Sequence, residues 1–249
     1  MDTLRLDLLR SLDPVGFATD LGLAPDSWQA DLLTTTESSI LMNCCRQSGK
    51  TTATALKALH TALYDPGLVL MLAPAQRQSI ELFRKLKALY SMLDNVPGSL
   101  TDSEMKLELE NGSRVIALPG SETSIRGYSA PKLIIVDEAA RTDDELFTAI
   151  RPMLATNQGQ FIALSTPYGK RGWYYQQWTG GRGWKRYQVK AHECPRISQE
   201  WLQQEREMIG EWQYCQEFEC QFVDDTEQFF STALIERALV EMEPLWTCR

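Results

Sequence analysis

The chain has 249 residues, 43% of them hydrophobic and 23% charged, with a formal net charge of −8. That length suits one large domain, or one with a small appendage, and is enough to bury a core without disulfide staples. The acidic balance excludes a basic coat over the whole surface, and no apolar run approaches the ~20 residues of a membrane-spanning helix, so no membrane partner is expected.

Residues 1–7 carry acids early and lack a signal-peptide layout. Six cysteines, at 44, 45, 194, 215, 220 and 248, show no zinc-ribbon spacing, and they read as free thiols in a reducing cytosol. Residues 4–33 read as short amphipathic helices broken at Asp13-Pro14 and Ala24-Pro25. An apolar strand over 39–43 precedes a polar, glycine-bearing loop, and a helix then runs from about Lys50 to Tyr64, stopped by Asp65-Pro66-Gly67. Residues 68–73 form a buried-type strand, and Leu82, Phe83, Leu86, Leu89 and Leu93 recur at helical spacing over 79–93. Strands over 106–109 and 114–118 flank Asn111-Gly112, a hairpin signal. A continuous apolar strand covers 132–136. Thr142-x-x-Glu145 predicts a capping box opening a helix to about Ala155, and 160–164 is a further strand. Strands alternating with helices predict an α/β fold: a mostly parallel sheet flanked by helices on both faces. Beyond Pro167 the pattern loosens, with a strand over 184–189 and an acidic helical end from Ser198. A boundary near 191–197 divides a core over 1–196 from a small C-terminal lid over 197–249.

Charge is uneven. Between Glu145 and Glu193 there is no acid in 47 residues, against seven bases, whereas 193–249 holds 13 acids and four bases. The basic stretch is a candidate phosphate-contacting patch in an otherwise acidic chain.

Three motifs carry chemistry. Arg46-Gln47-Ser48-Gly49-Lys50-Thr51-Thr52 lies between a strand and a helix. A triphosphate needs inward-facing backbone N–H groups, which a glycine-bearing loop and a helix N-terminus supply. Lys50 would reach the β/γ-phosphates and Thr51 a Mg²⁺ ion. The usual leading glycine is absent, since Cys44 stands in its place. The apolar strand at 133–136 ends in Asp137-Glu138, where ligands of open α/β sheets bind. Asp137 would face the metal and Glu138 orient the attacking water. Ser165-Thr166-Pro167 ends the next strand, where either hydroxyl would sense the γ-phosphate.

Together these residues resemble the large terminase subunit of tailed phages along nearly the whole chain. The phosphate loop of that family has an Arg four residues before the Lys and often lacks the first Gly, as residues 46–51 do here. Trp28-Gln29 resembles the family's adenine-side pair, Ala73-Pro74 another family segment, Ile125-Arg126-Gly127 its arginine-bearing loop, Ser165-Thr166-Pro167 its coupling motif, and 212–218 the segment closing the ATPase half. The resemblance implies a P-loop NTPase of the catalytic-glutamate type that hydrolyses ATP with Mg²⁺ to drive double-stranded DNA into a procapsid. It implies a homo-oligomeric ring working with a portal and a small terminase subunit, in the host cytoplasm and docked on the procapsid. It casts Gln29 and Trp28 as adenine contacts, leaving open that Trp28 is core, and Arg46 as a phosphate stabiliser or nucleotide sensor. Arg126 becomes an arginine finger given to a neighbouring subunit, or a plain loop arginine. Candidate DNA contacts are Arg77, Arg84, Lys85 and Lys87, or Lys170, Arg171, Arg182, Lys185 and Arg186. The family's nuclease domain is not expected within 249 residues. A two-domain helicase shares the phosphate loop and acid pair but needs a second motor domain. An ATP-gated assembly module without turnover would not need Glu138.

Overall fold

The computed structural model of the chain describes residues 3–224. Helices α1 (Thr3–Leu12), α2 (Pro14–Asp20) and α3 (Ser27–Thr34) open it. Asp13 caps α2, its Oδ1 accepting from the Val15 and Gly16 amides at 3.1 and 2.9 Å, with Pro14 at the first helical position, where the missing N–H is no loss. Strand β1 (Ser39–Cys44) feeds the phosphate loop and α4 (Lys50–Tyr64). Then come β2 (Leu68–Ala73), α5 (Gln76–Ser91), β3 (Ser99–Asp102), β4 (Lys106–Leu109), β5 (Arg114–Pro119) and α6 (Glu122–Ile125). The acid-bearing β6 (Leu133–Asp137) leads into α7 (Asp144–Leu154), β7 (Gln160–Ser165), α8 (Gly172–Thr179) and β8 (Lys185–Val189), and the described chain finishes with α9 (Gln199–Ile209) and α10 (Glu211–Glu217).

The strands form one sheet in the order β3-β4-β5-β2-β6-β7-β1-β8. Pairing is parallel from β5 through β8, and antiparallel at β3–β4 and β4–β5, where Asn111-Gly112 turns the hairpin. Gly112 takes φ 88°, and the Asn111 amide donates to Ala62 and Leu63 carbonyls at 2.8 and 3.1 Å, tying the turn to the end of α4. Alternate residues of each strand serve opposite faces. Met42, Met71, Ile135 and Leu164 join the cluster under α4 and α5, while Leu41, Leu70, Val136 and Phe161 join the one under α7 and α8. Leu202, Tyr214, Phe218 and Cys220 belong to the first of these, whereas Phe222 crosses to the second, against Tyr174, Tyr175 and Trp178 of α8. Residues 225–249 of the expected lid lie outside the described residues.

Two expectations need correcting. Thr142 does not cap α7: the N-cap is Asp143, while the Thr142 hydroxyl donates to the Ala139 carbonyl at 2.8 Å and accepts from the Trp173 indole at 3.1 Å. Helix α5 starts at Gln76 instead of Ser79, because the Ala75 amide is met by the Gln78 side chain at 3.1 Å one turn earlier. The short β3, α6 and α8 were not anticipated.

Candidate functional site

The P-loop strand β1 and the acid strand β6 are separated by β7 alone, so their carboxyl ends open into one crevice. The loop after β1 turns with φ 60° at Gln47 and 87° at Gly49. A side chain at Gly49 would be strained, and its Cβ would meet the Gln29 amide nitrogen at 2.7 Å. Ser48 Oγ donates to the Cys45 carbonyl at 3.0 Å, and Lys50 Nζ curls back to the same carbonyl at 3.5 Å. Since α4 begins at Lys50, its free N–H groups and positive end face the loop.

Opposite, Thr51 Oγ1 lies 3.3 Å from Asp137 Oδ2. Burial, then the neighbouring Glu138 carboxylate, push the Asp137 carboxyl up to about 6, against the pull of Lys50. Glu138 sits in the left-handed region at φ 52°, ψ 41°, which costs a non-glycine residue about 1 kcal/mol or more. That conformation holds its carboxylate over the loop, Oε1 4.0 Å from Lys50 Nζ and Oε2 3.7 Å from Arg141 Nε. The resulting polar cavity, about 730 Å³, is lined by Arg46 through Thr52 together with Glu138, Arg141, Gln78, Lys85 and Arg196.

A second, apolar cavity of about 460 Å³ adjoins it, walled by Leu23, Pro25, Leu33, Ala53 and Leu56, with Gln29 in its lining. Gln29 is partly committed: its Oε1 accepts from the Asp26 amide at 2.9 Å and its Nε2 lies 3.5 Å from the Ser48 carbonyl. Trp28 lines a different cleft, with Gln188 and Pro195. Arg46 leans away from the loop to Glu217, Nε to Oε2 2.6 Å. Ser165, at the end of β7, stands in register with Asn43 of β1, and Leu164 with Asp137 of β6. Ser165 Oγ and Asn43 Oδ1 are buried and without a hydrogen-bond partner among the described residues. Thr166 follows, also buried.

Arg126 is set apart. It closes α6, which packs against α7 and β5. Its side chain is 70% exposed and bonded to Glu122 at 2.6 Å, and it does not line the cradle. Most of the basic residues offered as DNA contacts are engaged within the chain. Arg84 meets Glu81 and Glu104, Lys87 meets Asp102, Lys185 meets Asp31, and Lys170 meets Asp224. Arg186 donates to the Gln177, Trp178 and Gly181 carbonyls, and Arg171 lies 5.3 Å from the Tyr168 ring. Lys85 faces the cradle instead.

Sequence reasoning missed Gln78, Arg141 and Arg196, and placed Glu217 within the 212–218 segment without its tie to Arg46. Gln78 and Lys85 are seven apart on one helix, a spacing that puts both on one face, and Arg141 follows Glu138 by one tight turn. No local signal marks the place of Arg196 or Glu217 at the loop, since both come from segments well over a hundred residues downstream of it.

The description "Terminase large subunit, T4likevirus-type, N-terminal" matches residues 41–237. The chain belongs to the large terminase family. Among curated relatives, the terminase large subunits of Thermus phage G20c and Thermus virus P23-45 are each 24% identical over 224 residues, covering 75% of this chain and 46% of the relative. This terminase chain therefore spans about half the length of those relatives. The large terminase ATPase domain of Thermus phage P74-26 superimposes with a TM-score of 0.66 at 20% identity, covering 84% of this chain and 98% of that one. The large terminase of another thermophilic bacteriophage, in complex with ATP-gamma-S, gives 0.65 at 11% identity, covering 80% and 53%. At these identities the likeness is one of fold.

Proposed function

We propose that this chain is the ATPase domain of a packaging motor, hydrolysing ATP with Mg²⁺ to translocate double-stranded DNA into a viral procapsid. The observation that carries the reading is a single cavity lined by the loop of Lys50 and Thr51 and by Glu138, with the Asp137 carboxylate beneath it against Thr51. The thermophilic bacteriophage terminase of the same fold has been seen with ADP and with ATP-gamma-S.

In this reading Lys50 and the backbone of residues 47–52 hold the β- and γ-phosphates. Thr51 and Asp137 fit Mg²⁺: both offer hard oxygen donors, 3.3 Å apart. The ion would neutralise charge building on the phosphate oxygens. Glu138 orients the attacking water. Before nucleotide arrives its carboxylate is restrained by Lys50 and Arg141, and a triphosphate that draws Lys50 away frees it for that task. Arg46 supplies charge or reports nucleotide state, Gln29 faces the base, and Ser165 and Thr166 relay loss of the γ-phosphate. Arg126, exposed and outside the lining of its own cradle, serves a neighbour in a homo-oligomeric ring. The helices after residue 197 act as the lid. Portal, small terminase subunit and DNA are the partners, met in the host cytoplasm on the procapsid; no helix among the described residues is long and apolar enough to cross a membrane.

Glu138→Gln tests the core of this. It should leave Mg-ATP binding intact by calorimetry and lower turnover by about 10²-fold or more, the scale of a lost positioned base. Turnover at the wild-type rate would remove Glu138 from its role.

A further inference from the structure

Arg196 lies between β8 and α9, in no motif. Its Nη1 donates to Asp26 Oδ1 at 3.1 Å, and its Nη2 to Asp26 Oδ2 at 2.6 Å and to the Ser48 carbonyl of the phosphate loop at 3.0 Å. Asp26 holds the guanidinium as a planar fork, and Asp26 itself is fixed as the N-cap of α3. The remaining N–H groups of Arg196 are open, and its side chain is 47% exposed.

Its location decides its use. The apolar cavity and the polar cradle share three lining residues: Gly49, Thr52 and Arg196. A nucleoside triphosphate with its base among Leu23, Pro25 and Leu56 and its terminal phosphates on Lys50 must cross that shared wall. The portion that crosses is the sugar and the α-phosphate. Gly49 and Thr52 bring small surfaces there, whereas Arg196 brings a positive charge and the N–H groups that Asp26 and Ser48 leave over, suited to a phosphate oxygen or sugar hydroxyl.

Resting on the reading of the cradle as a triphosphate site, we infer that Arg196 binds the ribose–α-phosphate segment of the nucleotide. It thereby makes the site select a nucleoside triphosphate over bare polyphosphate. Asp26 positions it, and its bond to the Ser48 carbonyl keeps the fork at loop height.

Calorimetry on the whole chain with two probes, Mg-ATPγS and Mg-tripolyphosphate, tests this in wild type, Arg196→Ala and Arg196→Lys. Wild type should prefer ATPγS. Arg196→Ala should weaken ATPγS about tenfold, the scale of one charge-assisted contact, and leave tripolyphosphate unchanged, with Arg196→Lys recovering part of the loss. Equal weakening of both probes would overturn the inference, because it would mark Arg196 as a mere prop for the loop through Ser48. So would unchanged binding of both. If Arg196→Ala does not fold, the comparison rests on Arg196→Lys, which keeps charge but loses the fork: a loss confined to ATPγS supports the inference, and an equal loss, or none, overturns it. A wild type that binds neither probe would overturn the cradle reading itself.

Discussion

Glu217→Gln should tighten nucleotide binding. Arg46 stands in the phosphate loop, yet its guanidinium is held by Glu217, Nε to Oε2 2.6 Å, and the Arg46 amide donates to the Glu217 carbonyl at 3.1 Å. If phosphate recruits Arg46, the side-chain pair opens first, and its strength is subtracted from the apparent affinity. The Arg46 side chain is 61% exposed, so solvent screens the pair, while that of Glu217 is only 8% exposed. Exposed pairs contribute ~0.2–1 kcal/mol, and the buried partner sets this one at the upper end, about 1 kcal/mol. Glutamine keeps the length and one acceptor but no charge, so most of that is lost. At 1.4 kcal/mol per tenfold, the Kd for Mg-ATPγS should fall about fivefold. Calorimetry on wild type, Glu217→Gln, Arg46→Ala and the double variant closes a cycle in which the Glu217 effect disappears without Arg46. Weaker binding in Glu217→Gln, or the same change with and without Arg46, would refute the reasoning.

Arg126→Ala should leave ATP binding unchanged and abolish the rise of turnover per subunit with protein concentration; a flat wild-type dependence, or an active mutant, removes the donated finger. Lys57 is buried, donating to the Leu33 and Thr35 carbonyls at 3.1 and 3.0 Å, and burial pushes its ammonium down to about 8. The unfolded chain holds that proton up to about pH 10.4, so the cost of the buried charge is full below pH 8 and is relieved as pH rises from there to about 10.4. The stability difference between Lys57→Met and wild type, from chemical denaturation, should therefore shift toward wild type by about 3 kcal/mol from pH 7 to 10.5; a pH-independent difference would show that the charge is not penalised.

Local signals made most of the fold legible. The apolar runs at 68–73 and 133–136 are strands because every residue in them is buried, as strands covered on both faces require. Asn111-Gly112 read as a hairpin for a backbone reason, and the structure bears it out. The failures are tertiary. Thr142 has the spacing of a cap, but the Trp173 indole claims its hydroxyl from 31 residues away. At the site, the loop and the acid pair were visible as runs of adjacent residues. Arg196 and the tie of Glu217 to Arg46 were not, because each reaches the cradle through a return of the chain that no periodicity records. Trp28 and Gln29 are adjacent in sequence yet line different hollows, since neighbouring helical positions point about 100° apart.

The floor of the cradle is completed late in the chain. The Glu217 carbonyl takes the Arg46 backbone amide, and the Cys220 carbonyl takes the Asn43 side-chain amide at 2.9 Å. During translation at about 5–20 residues per second, the roughly 170 residues between Arg46 and these partners take on the order of 10–30 s to emerge. A nascent chain thus exposes its lysine long before the loop around it has its full set of partners. Competence to hold nucleotide then arrives only once residues 217–220 have emerged, and a ribosome-bound fragment ending before Glu217 should not consume ATP.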